Sequence, residues 1–257
     1  MKPKPVMTLD RVLSRFGIAS RTDSRTAILE GRVKVNGRVV RDPDLWVRPG
    51  QDAFHLDGQR LKPARPIAVL FYKPKGVITS HGDPQGRPTI YQYLGDSGRW
   101  MFPVGRLDLD SSGLLLLTND TKLADYITNP RSGVPKTYRV KTNALLPDEV
   151  IGRLGAGVEM KRGDWARPLS VRRIEDRGKY TWLEVILTEG KNREVRRMIE
   201  AMGFKVLKLV RTGIGGLTLE GLKVGAWRRL SPQEVSALRT SRRAPKEREP
   251  ASAIARS

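Results

Sequence analysis

Four consecutive leucines, Leu114 to Leu117, are enclosed by Gly113 before them and Thr118-Asn119-Asp120 after them. A short, unbroken apolar run between turn residues predicts a strand covered on both faces. Such a strand needs a packed layer on each side of its sheet, so the polar segment leading into it is anchored to the core. That segment reads Gly105-Arg106-Leu107-Asp108-Leu109-Asp110-Ser111-Ser112. Rigid scaffolds present chemistry on loops of this kind. Here two carboxylates stand two residues apart beside Arg106, with no histidine or cysteine near them. Taken alone, the aspartates fit equally well as turn caps or as partners of surface arginines.

Charge narrows the choice of partner. A formal charge of +21 over 257 residues favours a polyanion, and nucleic acid is the first expectation. A membrane surface competes, but no apolar run approaches the roughly 20 residues that span a bilayer. The start, Met1-Lys2-Pro3-Lys4-Pro5, leads into no signal-type segment, so a cytoplasmic protein without membrane contact is expected. The absence of cysteine removes disulfides, zinc fingers and thiol catalysis. His55 and His81, the only histidines, make no metal cluster by themselves and are expected to be solvated.

Along the chain, residues 1–6 carry no periodicity and read as a flexible arm. Leu9, Val12, Leu13 and Phe16 then fall on one helical face that ends at Gly17. Ser20 offers an N-cap to a second helix running to Gly31. Arg11 with Arg15, and Arg21 with Arg25, stand one turn apart and present paired guanidinium groups. Alternating valines around Asn36-Gly37 predict a hairpin. This unit of helices and small strands spans 7–61, and Lys62-Pro63-Ala64-Arg65-Pro66 is a stiff linker. Beyond it strands are expected at 67–72, at the leucine run, from Lys136 and at 181–187. Helices are expected at 121–128, at 147–154 and up to Gly203, and a capping box at Ser231-Pro232-Gln233-Glu234 opens a last one. Interleaving without a regular βαβ rhythm predicts an α+β domain over 67–238, on a mixed or largely antiparallel sheet flanked by helices. Residues 239–257 read as a disordered basic tail.

The run Gly17-Ile18-Ala19-Ser20-Arg21, followed by Gly31-Arg32-Val33-Lys34-Val35-Asn36-Gly37, resembles the S4 RNA-binding domain. The resemblance implies that its basic face meets RNA, through Arg11, Arg15, Arg21, Arg25, Arg32 and Lys34. Neutralising Arg21 and Arg25 is then expected to weaken RNA binding and leave the fold intact.

In the second domain four motifs occur in order: Tyr72-Lys73-Pro74-Lys75-Gly76, the Asp108 loop with its leucine strand, Lys136-Thr137-Tyr138, and Glu189-Gly190-Lys191-Asn192-Arg193-Glu194-Val195-Arg196-Arg197-Met198. With an S4 unit in front, they resemble the RsuA family of pseudouridine synthases, including its large-subunit (23S) rRNA branch. The resemblance implies isomerisation of a flipped-out uridine, a reaction without redox change that demands neither cofactor nor metal. It places the essential aspartate, nucleophile or base, on Asp108. Its guanidinium partner falls on Arg196, with Arg193 and Arg197 facing RNA or solvent, and its base-stacking tyrosine falls on Tyr138. Arg106 is the candidate to fill the gap left by the flipped base, and Lys136 to hold a substrate phosphate.

The implied partner is ribosomal RNA or a partly assembled ribosomal particle, met by a monomer, since one chain supplies every proposed group. A small-subunit (16S) rRNA target and a non-catalytic rRNA assembly factor are the alternatives. Asp110-Ser111-Ser112-Gly113 faintly suggests an aspartic-protease loop, but the carboxylate pair of that chemistry needs a second copy, and the chain has none.

Overall fold

The computed structural model describes residues 6–18, 20–62, 64–95 and 101–241. All but Val6 of the expected arm, Pro63 of the linker, and the tail beyond residue 241 lie outside them.

In the N-terminal unit, helices α1 (Leu9–Arg15) and α2 (Arg21–Leu29) pack on small antiparallel strands. Leu9, Val12, Leu13 and Phe16 of the first helical face join Ile28, Val33 and Phe54 in one core. Ser20 caps α2 by accepting the Asp23 N–H at 3.0 Å. The hairpin forms where Asn36-Gly37 predicts it, with both residues at positive φ, between Val33–Val35 and Arg38–Val39.

The larger unit is built on one sheet. Its main strands are β1 (Ala68–Lys73), β2 (Ser112–Thr118), β3 (Lys136–Thr142), β4 (Ser170–Arg177), β5 (Tyr180–Leu187), β6 (Val206–Ile214) and β7 (Trp227–Arg229), in the order β4-β5-β3-β6-β2-β1-β7. Neighbours along this order are antiparallel except β2 and β6, which run parallel. Among the described residues, four helices of two turns or more flank the sheet: α3 (Thr121–Thr128), α4 (Asp148–Ala156), α5 (Glu194–Ala201) and α6 (Pro232–Thr240). The α+β class with a mixed, largely antiparallel sheet is therefore as the sequence indicates.

The leucine strand is covered on both faces. Leu114 and Leu116 pack with Leu70, Leu123, Ile127 and Leu238 on one side. Leu115 and Leu117 pack with Val69, Phe71 and Ile90 on the other. Each fully buried leucine contributes on the order of 1.5–3 kcal/mol, which fixes the register of β2 and so the place of the loop before it. A separate core under β3 and β5 holds Val140, Leu183 and Val185 against Val195, Met198 and Ile199 of α5.

Two expectations need correction. The last helix runs past residue 238 to Thr240, and Arg239 pairs with Asp120 at 2.7 Å, so the packed body takes in the first residues assigned to the tail. Nor are both histidines simply solvated: Nδ1 of His55 is buried, and His81 stacks on Tyr91 with ring centroids 3.6 Å apart. Among the described residues no helix is long and apolar enough to cross a membrane.

Candidate active site

The Asp108 loop enters from the strand Phe102–Pro103 and leaves into β2. Gly105 has φ 74°, and the Ser111 N–H closes a turn on the Asp108 carbonyl at 3.1 Å. The loop is stapled from the end of β1 and the segment that follows it. Lys73, fully buried, donates from Nζ to the carbonyls of Pro74 (3.0 Å), Asp108 (3.1 Å) and Ser111 (2.9 Å). Burial pushes the Lys73 ammonium down to about 8, while the Asp108 and Asp110 carboxylates work to keep it charged. Gly76 N–H reaches the Leu109 carbonyl at 2.7 Å, and Thr79 Oγ1 donates to the Leu107 carbonyl at 2.8 Å. Beneath the loop, a side chain at Gly113 would put its Cβ 2.3 Å from the Arg211 carbonyl oxygen, so the close approach of β6 demands glycine there. Arg211, itself buried, returns a bond from Nε to the Leu114 carbonyl at 2.7 Å.

With its backbone fixed, the loop holds both carboxylates half-exposed against the start of α5. Arg193 precedes that helix in the left-handed conformation (φ 47°, ψ 33°). Its Nη1 lies 3.4 Å from Asp110 and 3.6 Å from Asp108. Arg196 is buried, and its Nη2 lies 3.0 Å from the Asp110 carboxylate, 3.2 Å from the Asp110 carbonyl and 3.3 Å from Ser111 Oγ. Its Nη1 donates to the Val206 carbonyl at 3.2 Å, while Nε is buried without a hydrogen-bond partner. Burial pulls the Arg196 guanidinium below its ordinary value, and the Asp110 carboxylate opposes that pull.

This corrects the expected pairing. Arg196 bonds Asp110 rather than Asp108, and Arg193, expected to face RNA or solvent, is the guanidinium that approaches Asp108. The cause is local: residues 193 and 196 stand one helical turn apart, and the left-handed residue before the helix turns both toward the loop. Arg197 points elsewhere, to Asp164 and the Lys161 carbonyl.

Tyr138 lies in β3 opposite Arg211, which in turn pairs with Gly113 of β2. Its ring belongs to the core beneath α4 and α5, two strand spacings from the loop's end, or about 10 Å between backbones. Lys136 is buried, with Nζ on the Thr188 carbonyl at 3.0 Å, and burial lowers its ammonium to about 8. It is thus a structural donor in the sheet and not an outward phosphate contact. Arg106 is exposed, two residues before Asp108. Glu194, at the first turn of α5, is buried and accepts the Lys191 N–H at 3.0 Å; burial and the neighbouring Glu189 push its carboxyl up to about 7.

The arginines of the N-terminal unit divide into two groups. Arg21 grips the buried Asp10 through Nη2 (2.8 Å) and Nε (3.1 Å). Arg25 forks onto Asp44, and Arg32 onto Asp57 with Glu30 nearby. Arg11, Arg15 and Lys34 make no ion pair among the described residues, and they are the cations of this set left for an external anion.

Among the described residues no group of three or more His, Cys, Asp and Glu side chains is placed to hold a metal ion. Lys73, Thr79 and Arg211, which hold the loop, carry no sequence signal of that role. Lys73 falls in the Tyr72-Lys73-Pro74-Lys75-Gly76 motif, which gives no hint that its ammonium is buried under the loop, and Arg211 matters only because β6 lies beside β2.

Comparison with known proteins agrees with this architecture. The family model described as RNA pseudouridylate synthase matches residues 67–201, and the S4 domain model matches residues 7–53. The chain is 38% identical over 232 residues to "Ribosomal large subunit pseudouridine synthase B" of Bacillus subtilis, covering 90% of this chain and 95% of that one. The protein of the same description from Yersinia pestis is 36% identical over 240 residues, covering 90% and 74%. A solved structure described as "Crystal structure of pseudouridylate synthase" superposes with a TM-score of 0.65 at 27% identity, covering 90% of this chain and 99% of that one. On this span and identity, the chain belongs to the RNA pseudouridylate synthase family and carries an S4 domain ahead of the synthase fold.

Proposed function

We propose that this chain converts one uridine of large-subunit ribosomal RNA into pseudouridine, with Asp108 as the reacting carboxylate. The reaction breaks the N1–C1′ bond, turns the base, joins C5 to C1′, and exchanges the C5 proton for one on N1. An ionised carboxylate held at the sugar and base, as nucleophile or base, is what the chemistry needs.

The observation that carries the reading is the unequal treatment of the two aspartates. Asp110 is engaged by both guanidinium groups, whereas Asp108 has only Arg193 at 3.6 Å, beyond hydrogen-bond range. Asp110 therefore anchors α5 to the loop, and Asp108 keeps its lone pairs for the substrate. Arg106 fills the stack after the uridine flips out. Tyr138 borders the base from β3.

The S4 unit, residues 7–61, adds a salt-sensitive grip through Arg11, Arg15 and Lys34. The synthase unit begins after the linker 62–66. One copy supplies every group named, so the enzyme acts as a monomer.

Release of tritium from RNA carrying 5-tritiated uridine tests the assignment. Asp108→Asn is expected to abolish release, and Asp110→Asn to slow it about tenfold or more while leaving it measurable. Full release by Asp108→Asn would overturn the role given to that residue.

A further inference from the structure

The sheet has a second working face. Along β3 and β5 the side chains alternate: Tyr138, Val140, Leu183 and Val185 point into the core under α4 and α5. Arg139, Lys141, Trp182 and Glu184 stand on the opposite side, exposed or half-exposed. Strand register sets Lys208, Lys141, Trp182 and Glu175 in one row across β6, β3, β5 and β4.

Lysines 141 and 208 are thus direct cross-strand neighbours, a like-charge pairing that costs stability. No carboxylate relieves it among the described residues. Glu175 is taken by Arg139 at 3.0 Å and Glu184 by Arg172 at 2.9 Å. Lys141 leans instead onto the Tyr180 ring, its Nζ 3.9 Å from the centroid, and the Arg139 guanidinium lies 4.9 Å from the Trp182 ring. Both acids of the face being spent, its unbalanced charge is positive and sits beside an aromatic–guanidinium platform.

A fold bears such a repulsive pair at little loss when an anion bridges it, and a base stacks readily on a tryptophan or an arginine plane. We propose that this face is a second RNA-docking surface, on the side of the sheet away from the Asp108 loop. It takes an unpaired strand whose phosphates lie on Lys141 and Lys208 and one of whose bases stacks on the Trp182–Arg139 platform. The surface lets the enzyme hold a flanking single-stranded segment of its RNA while the target uridine occupies the other side. It concerns binding and does not depend on which residue performs the chemistry.

The test is binding of the full chain to a fluorescein-labelled single-stranded oligouridylate across a salt series. Turnover on a short hairpin substrate is measured alongside. Lys141→Gln/Lys208→Gln is expected to weaken oligouridylate binding about tenfold and to flatten the salt slope by about 1.4, the share of two phosphate contacts on a single strand. Trp182→Leu is expected to weaken it at least about fivefold. Because the double variant loses a like-charge pair, its melting temperature holds or rises, and hairpin turnover is unchanged. Photo-crosslinks from 4-thiouridine oligonucleotides should map to Tyr180 or Trp182. Unchanged affinity and slope in both variants would overturn the proposal. Crosslinks confined to the S4 unit or the Asp108 loop, or retention on anionic vesicles but not on RNA, would do the same.

Discussion

Lys73 shows how much of this site depends on a residue that does no chemistry. Its buried ammonium is shared among three carbonyls, two of them in the Asp108 loop. Lys73→Met keeps the bulk but leaves those acceptors unpaired, and buried unsatisfied groups cost about 1–3 kcal/mol each. The variant is expected to lose about 3 kcal/mol in urea denaturation, with turnover falling alongside; wild-type stability would show that the carbonyls find other donors. Glu194 gives a second test at this scale. The folded protein holds its carboxyl proton up to about 7, whereas an unfolded chain releases it near 4.5. The folded state binds the extra proton between those values, so stability falls as pH rises through that window. Glu194→Gln, which still accepts the Lys191 N–H, is expected to flatten the decline of melting temperature from pH 4.5 to 7; an unaltered profile would contradict it. That the Asp108 loop is anchored by the leucine strand and that Arg196 lies against it was legible, because each lies in a short contiguous motif. The pairing of Arg196 with Asp110 was not, since it depends on the left-handed residue before α5 and on the lateral distance between two elements far apart in sequence.

Helices and strands show the same contrast between local and non-local information. The first helical face, the Ser20 cap, the Asn36-Gly37 hairpin and the Ser231 capping box form where the sequence puts them, because each is decided within a few residues. Strands β4 and β6 escaped notice. In Val206–Ile214 the residues Lys208, Arg211, Thr212 and Gly213 break any simple alternation, and the strand is held by β2 on one side and β3 on the other. The S4 helices also revise one expectation. Arg21 neutralises an aspartate with no solvent exposure, so it cannot be removed without consequence. Arg21→Ala is expected to cost about 1–2 kcal/mol of stability, a range reduced from that of a fully buried pair because Arg21 itself is exposed. Arg11→Ala/Arg15→Ala is expected to leave melting unchanged while weakening RNA binding and reducing its salt dependence by about two phosphate contacts. Equal RNA affinity of the double variant and wild type across a salt series would remove the S4 face from the interface.

For the whole molecule, charge, the absence of cysteine and the order of motifs were enough to indicate an RNA-acting α+β protein with an S4 unit in front. The positions of the two units of sheet around one parallel pairing were not, because that pairing joins residues about a hundred positions apart. That single parallel contact brings Arg211 beneath Gly113, sets the loop height, and leaves one face of the sheet for α5 and the carboxylates and the other for the Lys141–Trp182 row. Incubating the purified chain with unmodified large- and small-subunit ribosomal RNA, naked and as partly assembled particles, and mapping pseudouridine by chemical labelling and primer extension tests the central claim most directly. One new site in large-subunit RNA, absent when Asp108→Asn replaces the wild type, is the predicted result. No new site in any large-subunit preparation, or a site that persists with Asp108→Asn, would contradict it.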